Sequence, residues 1–100
     1  MSINNVVISG NLTRDAELRT TPTGLRVLGF SVAVNDYRLN RDDGTWQEYP
    51  NYVDCTLFGN RAAAIHGYLC KGVKVCVKGR LRWRSWEKGG ARRSKLEVVA

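Results

Sequence analysis

A chain of 100 residues supports one domain with a single modest core and is too short for two. Sixteen Lys and Arg against nine Asp and Glu leave a net charge of +7, so the molecule suits an anionic partner, either nucleic acid or an acidic membrane surface. There is no run of about 18 apolar residues and no charged-then-apolar leader, and three cysteines stand at neither disulfide-framework nor zinc spacing. The expectation is a cytoplasmic protein with reduced, unligated thiols and no cofactor.

In chain order, the first predicted strand runs from Asn5 to Leu12, with Val6, Val7 and Ile8 before a bend at Gly10-Asn11. Val6 and Ile8 suit either a core or a subunit interface. A Thr-Pro-Thr-Gly turn at 21–24 leads into a second strand, Leu25 to Tyr37, with Leu28, Phe30, Val32 and Val34 on one face. Asp42-Asp43-Gly44 marks a hairpin loop whose arms reach from Tyr37 to Tyr49. The third strand, Tyr49 to Gly59, places Val53, Cys55 and Leu57 inward and Tyr52, Asp54, Thr56 and Phe58 outward. A helix follows, capped by Asn60, with Ala62, Ile65, His66 and Leu69 at helical spacing and Gly72 as its stop.

The fourth strand, Val73 to Trp86, alternates with period two. Val73, Val75, Val77, Gly79, Leu81 and Trp83 make a core stripe, with Trp83 read as packing. Lys74, Cys76, Lys78, Arg80, Arg82, Arg84 and Trp86 make a ladder of cations that ends in a flat indole. Such a face suits a polyanion whose units carry π-surfaces, that is, single-stranded nucleic acid. The charge is concentrated in the same half: residues 1–50 sum to −1 and residues 51–100 to +8. A Gly-Gly/Arg loop at 87–93 and a last strand at 94–100 complete the chain.

Three strands, a helix and two more strands, with an interior Gly at a barrel corner, is the order of the all-β OB-fold, a five-stranded Greek-key barrel. Catalysis finds no support: His66 is the only histidine and reads as a packed or rim residue, with no nucleophile motif or carboxylate pair beside it.

The chain resembles the bacterial single-stranded DNA-binding protein family over nearly its whole length. The resemblance rests on Asn5-Val6-Val7-Ile8-Ser9-Gly10-Asn11-Leu12 with Arg14-Asp15 and Glu17-Leu18-Arg19, on Gly29-Phe30-Ser31-Val32-Ala33-Val34, and on Leu57-Phe58-Gly59. Tyr68-Leu69-Cys70-Lys71-Gly72 and Gly79-Arg80-Leu81-Arg82 leading to Trp86 complete it. It implies an OB-fold homotetramer that binds single-stranded DNA in replication, recombination and repair, with bases stacked on Trp86, Phe58, Tyr52 and Tyr37. Two of those positions, Tyr52 and Tyr37, are Trp in many members of the family. The family also carries a disordered tail that recruits replication and repair proteins; these 100 residues hold no such tail and read as a single trimmed domain.

The expected phosphate contacts are Lys71, Lys74, Arg80, Arg82 and Arg84. Trp46, in the loop between strands two and three, either adds a DNA contact or pins that loop. Asp54 on the binding face would repel phosphate unless Arg82 or Arg84 neutralised it. A primosomal or RNA-binding OB module would share these features, whereas a membrane-surface role would need an amphipathic helix that the short, Ala-rich helix does not supply.

Overall fold

The computed structural model describes residues 2–100. Six strands form one sheet: β1 (Val6–Leu12), β2 (Glu17–Thr20), β3 (Arg26–Leu39), β4 (Trp46–Phe58), β5 (Lys74–Lys88) and β6 (Ala91–Val99). The order is β1-β5-β6-β4-β3-β2, and β1 also pairs with β3, which closes the sheet into a barrel. β1 lies along β5 from Val6 to Asn11 and then crosses to β3 at Asn11 and Leu12, where β2 continues the same ladder. β1 and β2 are therefore one bent first strand, and the barrel is the five-stranded OB-fold expected from the sequence. Its last seam is parallel, Cys55 opposite Val98 and Thr56 opposite Val99.

The interior follows the period-two pattern. Leu28, Phe30 and Val32 of β3, Cys55 and Leu57 of β4, Val77 of β5 and Val98 of β6 are buried together with Leu12, Ala16 and Ala62. Burying a Val, Leu or Phe side chain stabilises by about 1.5–3 kcal/mol, so these few residues carry most of the fold. Burial pushes the Cys55 thiol up to about 12, with the charges of Asp54 and Glu97 adding to it.

The helix differs from expectation. α1 spans only Asn60–Ile65 and passes into a single 3₁₀ turn, His66–Tyr68. Gly59, at φ 92°, occupies the N-cap position, and no side chain caps the helix; Asn60 is already its first residue. Ala62 plugs the end of the barrel, and a ring nitrogen of His66 lies 3.2 Å from the Ala16 carbonyl oxygen, a rim contact as expected.

The hairpins are longer than their sequence signals. β5 and β6 meet in a two-residue turn, Gly89-Gly90, with both residues at positive φ (60° and 79°), as a primed turn requires. Residues 87, 88 and 91–93, read as loop, belong to the strands. In the other hairpin Leu39 pairs with Trp46, so Trp46 begins a strand instead of sitting in a loop. That loop is braced by Asp43, which accepts from both the hydroxyl (2.6 Å) and the N–H (2.9 Å) of Thr45. The two arms stretch the molecule to 55 Å against 35 Å in the other directions.

Two glycines mark where strands press together. A Cβ on Gly10 would lie 2.1 Å from the Ala33 carbonyl oxygen, and one on Gly79 would lie 2.1 Å from that of Val99. Neither backbone can retreat without breaking the ladder. Gly79→Ala is therefore expected to destabilise the domain by about 1–3 kcal/mol or more, read as a lowered denaturant midpoint. A midpoint equal to the parent's would show that this contact is loose.

Candidate nucleic-acid interface

Residues opposite one another in a ladder share a face, so register decides what stands beside what. On the sheet surface away from the core, Val27, Gly29, Ser31 and Ala33 of β3 face Phe58, Thr56, Asp54 and Tyr52 of β4. Beyond β4, Lys95 and Glu97 of β6 face Arg84 and Arg82 of β5, and Trp86 faces Arg93. The small residues of β3 leave a groove of about 170 Å³ floored by Val27, Gly29 and Thr56. Arg14 and Arg19 line it from the side of β2, and Arg84 and Lys95 from the side of β5 and β6.

The aromatic side chains stand as the faces predict, with one exception. Tyr52 is 70% exposed and Phe58 half-buried, both on the outer face of β4. Trp86 is exposed at the far end of the β5 ladder. Tyr37 and Trp46 lie on the projecting β3–β4 hairpin, opposite Glu48 and Leu39, and both are exposed on the same side as Tyr52. Trp83 is the exception. It shares its face with the core residue Val77, yet it is 62% exposed, because β5 has by then left the barrel. It pairs with Leu96, and it and neighbouring Leu81 are not core packing.

The cations are less free than the ladder implies. Glu97 is only 2% exposed, and its carboxylate collects three partners. The Thr56 hydroxyl donates to Oε2 at 2.8 Å, and Arg82 donates to Oε1 through Nη2 (2.5 Å) and Nε (3.2 Å). Nε of Arg84 lies 3.2 Å from Oε1, an ion pair without a hydrogen bond. Burial works to raise the Glu97 pKa; the hydrogen bonds from Arg82 and Thr56 and the two guanidinium charges outweigh it and hold the carboxyl below its ordinary value. Each arginine also reaches an aromatic ring. The Arg82 guanidinium carbon is 5.1 Å from the Phe58 centroid, and that of Arg84 is 4.9 Å from the Trp86 centroid. Cation–π contact takes up one face of each ring.

Asp54 is neutralised by Lys95 at 3.4 Å and not by Arg82 or Arg84, which are committed to Glu97. Arg80 sits on the same outer face, opposite Val99. Lys71 and Lys74 are elsewhere. Lys74 pairs with Asn11 of β1, ten residues and about 33 Å of strand from Arg84, and Lys71 lies in the loop before β5, its N–H bonded to Asp15. The outer face of β4 and β5 thus carries Arg82, Arg84, Trp86, Phe58 and Tyr52, of which Arg84 also lines the groove, and the two lysines lie at the other end of β5.

Arg14, Arg19, Lys95 and Glu97 were not among the expected site residues. For Glu97 a signal existed: it is the only acidic residue after Glu87, in a strand bound to pair with the cationic one.

The model of the single-strand binding protein family matches residues 3–100. The chain is 45% identical over 98 residues to a single-stranded DNA-binding protein of Borreliella burgdorferi, an alignment covering 96% of this chain and 64% of that one. It is 46% identical to the protein of that name from Treponema pallidum, covering 98% and 54%. The chain thus spans about half to two-thirds of these relatives. Among solved structures, a deletion mutant of the single-stranded DNA binding protein from Thermus aquaticus superposes with a TM-score of 0.81 at 35% identity, over 97% of this chain and 47% of that one.

A carboxyl with a depressed folded pKa adds stability above its unfolded value, here 4.5, and loses it as pH falls through the lower folded value. Thermal stability should therefore drop more steeply below pH ~4.5 in the parent than in Glu97→Gln, whose acid limb should be flatter. Melting scans between pH 3 and 6 measure both slopes. Parallel limbs would mean that Glu97 is not held ionised by its partners.

Proposed function

The chain belongs to the single-strand binding protein family, and we propose that it binds single-stranded DNA without sequence preference, with roles in replication, recombination and repair. The observation that carries this reading is one continuous outer face on which Tyr52, Phe58 and Trp86 stand among Arg82, Arg84 and Lys95. Phosphates are drawn by the cations, and bases stack on the rings. Stacking contributes about 1–3 kcal/mol per base and is satisfied by any base, while a duplex hides the π-faces that the rings need. Arg82 and Arg84 already cover one face of Phe58 and Trp86, so a base that stacks on the other face completes a sandwich. Tyr37 and Trp46 extend the path along the β3–β4 hairpin, and Arg14 and Arg19 contact phosphate across the groove.

Lys71 and Lys74 lie about a strand's length from the stacking face, so we assign them a later stretch of a strand that continues around the barrel. No described helix is long and apolar enough to cross a membrane. The reading places the protein with DNA inside the cell.

We further propose that the protein assembles from several copies, a tetramer by family likeness. Among the described residues, the second edge of β1 is unpaired from Val6 to Gly10, and exposed Val7 stands beside it. A free strand edge is a template for pairing with another chain. Light scattering is expected to give a mass of several copies, and a monomer at micromolar concentration would refute assembly.

Oligothymidine, duplex of equal length and the matching RNA are to be titrated at several salt concentrations. The expected order is single-stranded DNA first, with duplex much weaker at ~0.2 M salt. Phe58→Ala should weaken single-strand binding by about 1–3 kcal/mol and leave the salt slope unchanged. Equal affinity for duplex would leave a merely basic surface, and preference for RNA would favour an RNA-binding module.

A further inference from the structure

The cluster around Glu97 does more than satisfy a buried charge. An ionised carboxylate taken out of water is costly unless paired and hydrogen-bonded, and here both oxygens are engaged, Oε2 by Thr56 and Oε1 by Arg82 and Arg84. Arg82 and Arg84 are two residues apart on one strand and point to the same face, where their like charges repel. The carboxylate between them offsets that repulsion, holding Arg82 by two hydrogen bonds and Arg84 by charge attraction at 3.2 Å. Their guanidinium carbons stand over the Phe58 and Trp86 rings, at 5.1 and 4.9 Å from the centroids.

We propose that Glu97 is a positioning residue for DNA binding, which sets Arg82 and Arg84 over Phe58 and Trp86 and so ties phosphate attraction to base stacking. The proposal rests on the single-strand reading above. Glu97 touches no DNA itself. It acts through two arginines whose long side chains would otherwise have to be ordered when the strand arrives. The arrangement has an electrostatic counterweight: Arg82, Arg84 and Glu97 together carry +1, so a phosphate meets one unit of charge where the bare ladder would offer two.

These two effects have opposite signs and are separable. Glu97→Gln keeps the shape and one accepting oxygen and removes the charge; its amide N–H₂ takes the place of the other oxygen, beside the Thr56 hydroxyl, which can accept from it. The salt slope for oligothymidine should steepen by about 0.7, because a released guanidinium becomes free to neutralise one more phosphate. The portion of the tryptophan quench that disappears in Trp86→Ala should fall by about half, and at ~1 M salt, with attraction screened, affinity should drop about 5-fold or more. A purely structural role for Glu97 would lower the melting temperature and the binding-competent fraction without steepening the slope.

Arg84→Lys gives an independent test if the Gln variant does not fold. It keeps the charge and loses the planar fork, so the slope should match the parent's while the Trp86 quench and high-salt affinity decline. The parent is measured first, against single strand and duplex. Failure to prefer single strand would defeat the functional reading. A parent that prefers single strand, with Glu97→Gln matching it in slope and quench or Arg84→Lys matching it in quench, would overturn the positioning role alone.

Discussion

Closure of the barrel is the constraint from which everything else in this structure follows. One strand must pair with β5 over most of its length and still reach β3, so backbone has to cross backbone with no room between. Gly10 against Ala33 and Gly79 against Val99 are the two places where that is done. Once those crossings are made, β3, β4, β5 and β6 emerge from the barrel already directed, and their free ends become two hairpin arms beside a groove. The aromatic residues owe their placement to that geometry more than to any contact among themselves.

Alternation made the faces of β3, β4 and β5 legible, because a strand with one buried side repeats every two residues. Leu28, Phe30 and Val32 inward, and Tyr52 and Phe58 outward, follow from that pattern alone. Alternation names a face, however, and does not say that anything covers it. Leu81 and Trp83 continue the stripe of Val75 and Val77 past the point where β5 leaves the core, which is why a buried reading failed for them. β2 escaped notice for the opposite reason: Glu-Leu-Arg-Thr is four residues with one apolar member, too short for any period. The exposed hairpin arms likewise carry no burial signal: Asp42-Asp43-Gly44 and the Gly-Gly pair mark where the chain turns but not how far the arms beside them pair.

The partners of Arg82 and Arg84 lay beyond the sequence because they depend on register between strands 13 to 15 residues apart. A shift by two would have put Arg84 directly opposite Glu97 and Arg82 opposite Val99, in place of Arg84 opposite Lys95 and Arg82 opposite Glu97. The same register explains the character of the groove. Arg14, Arg19, Arg84 and Lys95 share it with Glu17, Asp54 and Glu97, so its lining is nearly balanced while the molecule as a whole carries +7. Long-range attraction therefore belongs to the whole surface, and the groove contributes orientation.

The parallel seam between β4 and β6 has a consequence for how the molecule comes into being. Only two residue pairs make it, Cys55 with Val98 and Thr56 with Val99, supplemented by the Ala100 N–H bonded to the Thr56 carbonyl oxygen. Val98 is nevertheless among the most deeply buried residues, and Glu97 beside it completes the arginine cluster. At a synthesis rate of about 5–20 residues per second, the first hairpin is in solution for seconds before those residues exist. During that interval β4 lacks its β6 neighbour, the core lacks Val98, and the outer face lacks Lys95 and Glu97. In a nascent chain the carboxylate that joins Arg82 and Arg84 and the seam that closes on β4 are therefore the last parts of the barrel to form, after residues 97–99 have left the ribosome.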